Sequence, residues 1–187
     1  QTLTILRDTD PGLFLGNPEG DEVLLPNKYR PDSFEIGEEL DVFVYLDYDE
    51  RPVATTLTPY LTLNSFGYLH CADVNEFGAF MDWGVQKQLF VPFKEQARPM
   101  KVGNWYIVYL YLDEQTQRLV GSSKTNKYLT NDNVDIEKFA EVDILVTHLT
   151  EKGANAIVNG KHHGLIYEGD IFEDIRTGDR IKAYVKK

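Results

Sequence analysis

Apolar and polar positions alternate with a period of two in three separate stretches of the chain, the signature of strands with one buried face. In the first stretch Leu13 and Leu15 oppose Phe14 and Gly16. In the second, Ala79, Met81 and Trp83 oppose Phe80 and Asp82. In the third, Ala154, Ala156 and Val158 oppose Asn155, Ile157 and Asn159. Each stretch runs into turn chemistry, at Asn17-Pro18-Glu19-Gly20, around Gly84 and at Asn159-Gly160. A longer run, Trp105 to Leu112, is aromatic and β-branched and reads as a strand. One segment suggests a helix: Asn131-Asp132-Asn133 offer caps, and Val134, Ile136, Phe139 and Ala140 would line one side of a short amphipathic helix.

The three stretches are copies of one unit. Gly12, Gly78 and Gly153 open them; fourteen positions later stand Pro26, Pro92 and Tyr167, and eleven after those Gly37, Gly103 and Gly178. Apolar pairs precede the middle landmark each time, Leu24-Leu25, Phe90-Val91 and Leu165-Ile166. Beyond the last glycine, Val42, Val108 and Ala183 correspond, as do Val44, Leu110 and Val185. A repeat of about 60 residues with about five short strands points to an all-β chain of tandem five-stranded Greek-key barrels of the OB type. The expected organisation is a first module over residues 1–60, a second over 61–125, a linker with a short helix over 126–140, and a third module over 141–187. The third copy stops nine residues after Gly178. The equivalent points in the earlier copies, Leu46 and Leu112, are each followed by a turn and a further strand. The third module is therefore expected to be truncated, with an open edge, and the chain to be a fragment or to receive that strand from elsewhere.

Charge narrows the function classes. The chain has 187 residues and a net charge of −11, which argues against a general nucleic-acid binder, because phosphate affinity comes largely from Lys and Arg. The acidity is local, however: residues 1–60 hold 13 acidic and 4 basic residues, whereas residues 61–125 hold 6 of each. No apolar run approaches the ~20 residues of a membrane helix, and the start lacks a basic segment followed by an apolar one. The lone Cys71 lies in an apolar segment and is expected to be a core thiol. A cytoplasmic protein fits these features.

The second copy carries Asn75-Glu76-Phe77-Gly78-Ala79-Phe80-Met81-Asp82, which resembles the signature of the S1 RNA-binding domain, an OB-fold module. Gly164-Leu165-Ile166-Tyr167 is similar to a later element of that signature, with Tyr for His, and Ile175 to Lys182 resembles its Gly-Asp segment. The order of modules resembles the bacterial conserved virulence factor B family, in which a degenerate first S1 module precedes two more and a C-terminal winged helix; no winged helix follows here. The resemblance implies single-stranded RNA as partner and a regulatory role in bacterial gene expression. It also implies the contact residues. Phe77 and Phe80 match the two stacking positions, Pro92 and Tyr167 the histidine position, and Asp113 and Arg118 the acidic and basic pair of the last hairpin, which Asp47 and Arg51 match better in the first copy. Lys87, Lys94, Arg98 and Lys101 fall in loops of the second copy, within reach of phosphate. The acidic first copy keeps Phe14 and reads as a module for packing or protein contacts; the third has Asn155 where Phe80 stands.

Other classes are weaker on the residues. His162-His163 sit in an expected hairpin turn with no partner at a structural zinc spacing, and neither a phosphate loop nor a nucleophile elbow is present. No cofactor, metal or catalytic activity is expected. The main alternative is a protein-interaction scaffold of diverged OB modules whose acidic first module meets a basic partner.

Overall fold

A computed structural model describes residues 1–187. The chain is almost entirely strand and turn and forms three sheets. The first contains β1 (Thr2–Thr9), β2 (Gly12–Gly16), β3 (Glu22–Pro26), β4 (Glu39–Asp41), β5 (Phe43–Leu46) and β6 (Pro52–Thr55), in the order β4-β1-β2-β3-β6-β5. Strands β4 and β5 are two halves of one bent strand interrupted at Val42, so the ends of the sheet meet and it closes as a barrel. The closing contact is the parallel pairing of β3 with β6 at Leu24 and Val53. The second sheet holds β7 (Phe66–Val74), β8 (Gly78–Asp82), β9 (Leu89–Pro92), β10 (Trp105–Asp113) and β11 (Arg118–Ser122), in the order β11-β10-β7-β8-β9. The third holds β12 (Glu141–Thr150), β13 (Gly153–Val158), β14 (His162–Tyr167) and β15 (Arg180–Tyr184), in the order β14-β13-β12-β15. It is four-stranded, with β14 and β15 at its edges. The fold class is thus all-β, in tandem OB-type barrels.

The glycine landmarks have a common physical cause. Gly12, Gly78 and Gly153 have φ of +154°, +158° and +135°. A Cβ on them would lie 2.0, 2.5 and 1.8 Å from the carbonyl oxygens of Leu25, Val91 and Ile166, the residue just before each middle landmark. Only glycine lets the two strands of the hairpin approach so closely. Pro26, Pro92 and Tyr167 each lead into one turn of 3-10 helix, at Asn27–Tyr29, Phe93–Glu95 and Glu168–Asp170. The later glycines each donate their N–H to the first strand of their own module, at the carbonyls of Ile5, Cys71 and Val146. Those same residues donate back to Glu38, Asn104 and Asp179. The repeat is therefore a repeat of backbone geometry.

The alternating residues fill the barrels as their period requires. Leu13, Leu15 and Leu25 are buried in the first with Leu3, Ile5, Val23, Val42 and Ala54. Ala79 and Met81 are buried in the second, as are Leu69, Val91, Val108, Leu110 and the Cys71 thiol. The third core is smaller, with Val142, Ile144 and Ala156 at its centre. Ile157 departs from the alternation. It points away from that core yet is only 2% exposed, because it packs with Leu145 against Phe66 of the second module. Periodicity along one strand does not reveal a neighbouring module.

The linker does not form the expected helix over Val134–Ala140. Its helical turn is a 3-10 segment at Thr125–Tyr128. Asn133 and Phe139 take φ of +53° and +69°, far from the helical value near −63°. The apolar residues are used singly. Tyr128 stacks on Tyr109 with centroids 3.8 Å apart, and Ile136 packs on the third core. Phe139 instead contributes its N–H, to the carbonyl of Val185.

The chain divides into two compact units, Gln1–Tyr60 with Asp82–Leu89, and Leu61–Met81 with Phe90–Lys187. The second and third sheets thus belong for the most part to one unit. In the first unit Trp83 meets Phe43 edge to face with centroids 5.5 Å apart, and its indole N–H donates to the Lys87 carbonyl at 2.5 Å.

Candidate nucleic-acid interface

Strand β8 carries Phe80 between the buried Ala79 and Met81, so its ring is turned outward. It lies against Phe90 of β9, with ring centroids 5.3 Å apart and planes 33° from parallel. Phe77 stands in the tight turn before β8 and is 66% exposed. The Asn75 side-chain oxygen accepts from the backbone N–H groups of Phe77 and Gly78 and so fixes this turn. Phe93, in the 3-10 turn after β9, is 52% exposed. The same turn presents Lys94 and, a few residues on, Arg98 to solvent. Sequence reasoning named Phe77 and Phe80 but not Phe90 and Phe93. The period-two rule applied to Leu89–Pro92 would have turned Phe90 outward.

The other expected contacts are dispersed. Lys87 is half-buried, its ammonium donating to the Asp47 carbonyl at 3.0 Å and lying 5.9 Å from the Tyr48 ring centre. Burial pulls its pKa below the usual lysine range. Asp113 and Arg118 face each other across the β10–β11 hairpin as paired residues, and Asp113 accepts from the Gln115 backbone N–H in the intervening turn. Asp47 and Arg51 make an ion pair of 2.9 Å. Lys101 is exposed in the turn before β10. Tyr167 ends β14, half-exposed, with the Lys187 ammonium 6.0 Å from its ring centre. His162 and His163 fasten the linker, through the Thr130 carbonyl and the Asn131 side chain.

The position held by Phe80 is treated differently in the other modules. In the first barrel the Arg7 guanidinium lies 4.3 Å from the centre of the Phe14 ring. It is held there by two hydrogen bonds to the Glu22 carboxylate, of 3.0 and 2.6 Å. In the third, Asn155 is bonded to the His148 ring nitrogen at 2.7 Å. Arg7 and His148 are the paired cross-strand neighbours of Phe14 and Asn155. One outward position is thus covered by a cation in the first module and polar in the third, while in the second it holds a ring lying against a ring.

Comparisons with known proteins agree with this architecture. The S1 domain family matches residues 1–57, the first of the three copies. A protein of Bacillus subtilis, YitL, is 36% identical over 111 residues, covering 56% of this chain and 37% of that protein. Conserved virulence factor B of Staphylococcus epidermidis is 23% identical over 180 residues, covering 91% of this chain and 60% of the relative; that of Staphylococcus saprophyticus is 29% identical over the same length. The chain thus spans between about a third and three-fifths of these relatives. A crystal structure of a Streptococcus pneumoniae multidomain protein with nucleic acid binding domains shares the fold over the whole chain, at a TM-score of 0.57 and 19% identity, with 67% of that protein covered. No helix here is long and apolar enough to cross a membrane. The chain is similar in sequence to the conserved virulence factor B and YitL proteins and is built from tandem OB-type barrels, the first of which matches the S1 domain family.

Proposed function

We propose that the chain binds single-stranded RNA on the outward face of its second barrel and acts in the regulation of bacterial gene expression. The observation that carries this reading is the Phe80–Phe90 ring pair on adjacent strands, with the exposed Phe77 at the mouth of the same hairpin. Unpaired bases stack on such rings at about 1–3 kcal/mol each, and every base has a face to offer. Duplex RNA hides those faces, which favours a single strand. Charge supports the same location, since the second module is balanced and presents Lys94 and Arg98 to solvent. The match to the S1 domain and the nucleic acid binding domains of the Streptococcus pneumoniae neighbour point the same way. The regulatory role is what the resemblance to the conserved virulence factor B family implies.

The test is a fluorescence-anisotropy titration of short single-stranded RNAs at two salt concentrations, with the native chain and a Phe77→Ala/Phe80→Ala variant. Salt-sensitive binding that the variant loses supports the reading. A native chain that binds no RNA overturns it. A second reading, a protein scaffold contacting a basic partner, draws on the first module, whose Phe14 ring is already occupied by Arg7 and whose residues are strongly acidic.

A further inference from the structure

We infer that the second unit carries a separate base-stacking platform on Trp105, flanked by Tyr68 and His70 and by the basic Arg176–Arg180 loop of the third module. This inference rests on the RNA-binding reading above and extends it to a second place on the surface.

The outward residues of β10 are Trp105, Ile107, Tyr109 and Tyr111, alternating with Tyr106, Val108 and Leu110. Three of the four have company. Tyr128 stacks on Tyr109 and lies against Tyr111, and Ile107 packs with Phe66, Leu145 and Ile157. Burial pushes the Tyr111 hydroxyl up to about 12. Trp105, at the end of the row, remains 51% exposed. Its ring is steadied on its flanks: Tyr68 lies 5.4 Å away and tilted by 34°, and His70, its paired neighbour across the ladder, lies 5.3 Å away at 57°. A large indole held in place but left uncovered is preorganised for a flat partner, since its rotamer freedom is already lost before binding.

A cationic loop lies beside it. Gly178 packs against the Tyr68 ring so closely that a Cβ there would sit 2.1 Å from a ring carbon. The Arg180 guanidinium donates to the Phe66 carbonyl, which fixes it on β7 two residues from Tyr68. Phe66 and His70, the ladder partner of Trp105, are four residues or roughly 13 Å apart along β7, so a phosphate at Arg180 and a base at Trp105 fall about two nucleotides apart. Residues 176–187 hold five cations and one carboxylate in a chain of net charge −11. Lys182 and Lys186 are held in ion pairs with Asp143 and Asp170. Arg176 and Arg180 take no part in a salt bridge, and a guanidinium has five N–H donors in a planar fork suited to phosphate. An aromatic face bordered by guanidinium groups that no salt bridge engages is complementary to a polyanion with exposed bases.

The experiment uses the two tryptophans of the chain. Trp83 is 3% exposed and Trp105 half-exposed, so a base stacking on the latter quenches the red side of the emission. Twelve-nucleotide oligo(U) and oligo(A) are titrated into the full chain, with intrinsic fluorescence and anisotropy recorded together. We expect quenching that Trp105→Phe abolishes while leaving affinity within about twofold, since Phe still stacks. Trp105→Ala should weaken binding about 5- to 150-fold, and Arg176→Glu should weaken it and flatten its salt dependence. RNA binding with no quenching, and with native affinity in Trp105→Ala, overturns the platform while leaving the Phe77/Phe80 site intact. Binding lost in Trp105→Ala but retained in Phe77→Ala/Phe80→Ala supports the platform and overturns the other site. No binding in any form overturns both and reassigns the ring face to a protein contact.

Discussion

The Arg7 guanidinium covers the Phe14 ring at 4.3 Å while two hydrogen bonds tie it to Glu22. The first barrel thereby keeps an aromatic at the position that Phe80 holds in the second but occupies it from within. Arg7 holds the Glu22 carboxyl below the usual carboxylate range by its hydrogen bond, so the pair is intact at neutral pH and is lost only as pH falls through that lowered value. Arg7→Ala should expose Phe14. In a Phe77→Ala/Phe80→Ala background we expect 4-thiouridine RNA to crosslink to β2 in Arg7→Ala but not with Arg7 present. Both residues are exposed, so the thermal midpoint should stay near that of the parent.

Phe77 and Phe80 should separate stability from binding. Phe77 touches little and is exposed, and Phe77→Ala should unfold in urea within about 0.5 kcal/mol of the native chain. Phe80 packs on Phe90, and Phe80→Ala should cost at least about 1 kcal/mol, the worth of an aromatic pair. Equal losses of stability in the two variants would contradict the outward, ring-paired placement of Phe80.

Two glycines of the same barrel should respond very differently to alanine. At Gly12 a Cβ meets the Leu25 carbonyl at 2.0 Å, whereas at Gly37, with φ of +94°, nothing lies within 4 Å. Gly37→Ala pays only the backbone strain, about 1 kcal/mol. Gly12→Ala must also part β2 from β3 and should cost about 3 kcal/mol or more. Urea denaturation followed by far-UV circular dichroism measures both.

Glu95 should give the second unit an acid-sensitive step. Burial works against its charge, but hydrogen bonds from Lys127, at 2.7 Å, and Ser122, at 2.6 Å, bring its pKa below the usual carboxylate value. A carboxylate with a lowered folded pKa contributes stability that is present above about pH 4.5 and lost as pH falls through the lowered value. Unfolding free energy measured from pH 7 down to pH 3 should therefore drop in the native chain. Glu95→Gln should be less stable at pH 7 by about 1–2 kcal/mol and vary less with pH.

The barrels were legible in the sequence because their constraints are local. The Gly12–Pro26–Gly37 spacing encodes a hairpin approach, a 3-10 turn and a backbone bracket, all within one module. Alternation likewise turned Phe80 outward. What escaped was whatever depends on a neighbour. Ile157 is buried by Phe66, more than ninety residues away in the chain, and no strand period carries that information. Ile136 and Phe139 looked like one helix face, yet Ile136 packs on the third core and Phe139 is tied to Val185 through its backbone N–H. Lys87 looked like a free loop cation and is tied to Asp47. Trp105 was legible as strand, but its exposure at the end of a covered row was not.

The bracket from the later glycine to the first strand recurs in all three modules without using a single side chain. Folding instructions and surface chemistry are consequently written on different atoms. The outward position after the opening glycine is exchangeable currency among the copies, an aromatic under a cation at Phe14, a ring pair at Phe80, an amide at Asn155. Such a chain can gain or retire a recognition surface by one substitution per module, with its architecture left untouched.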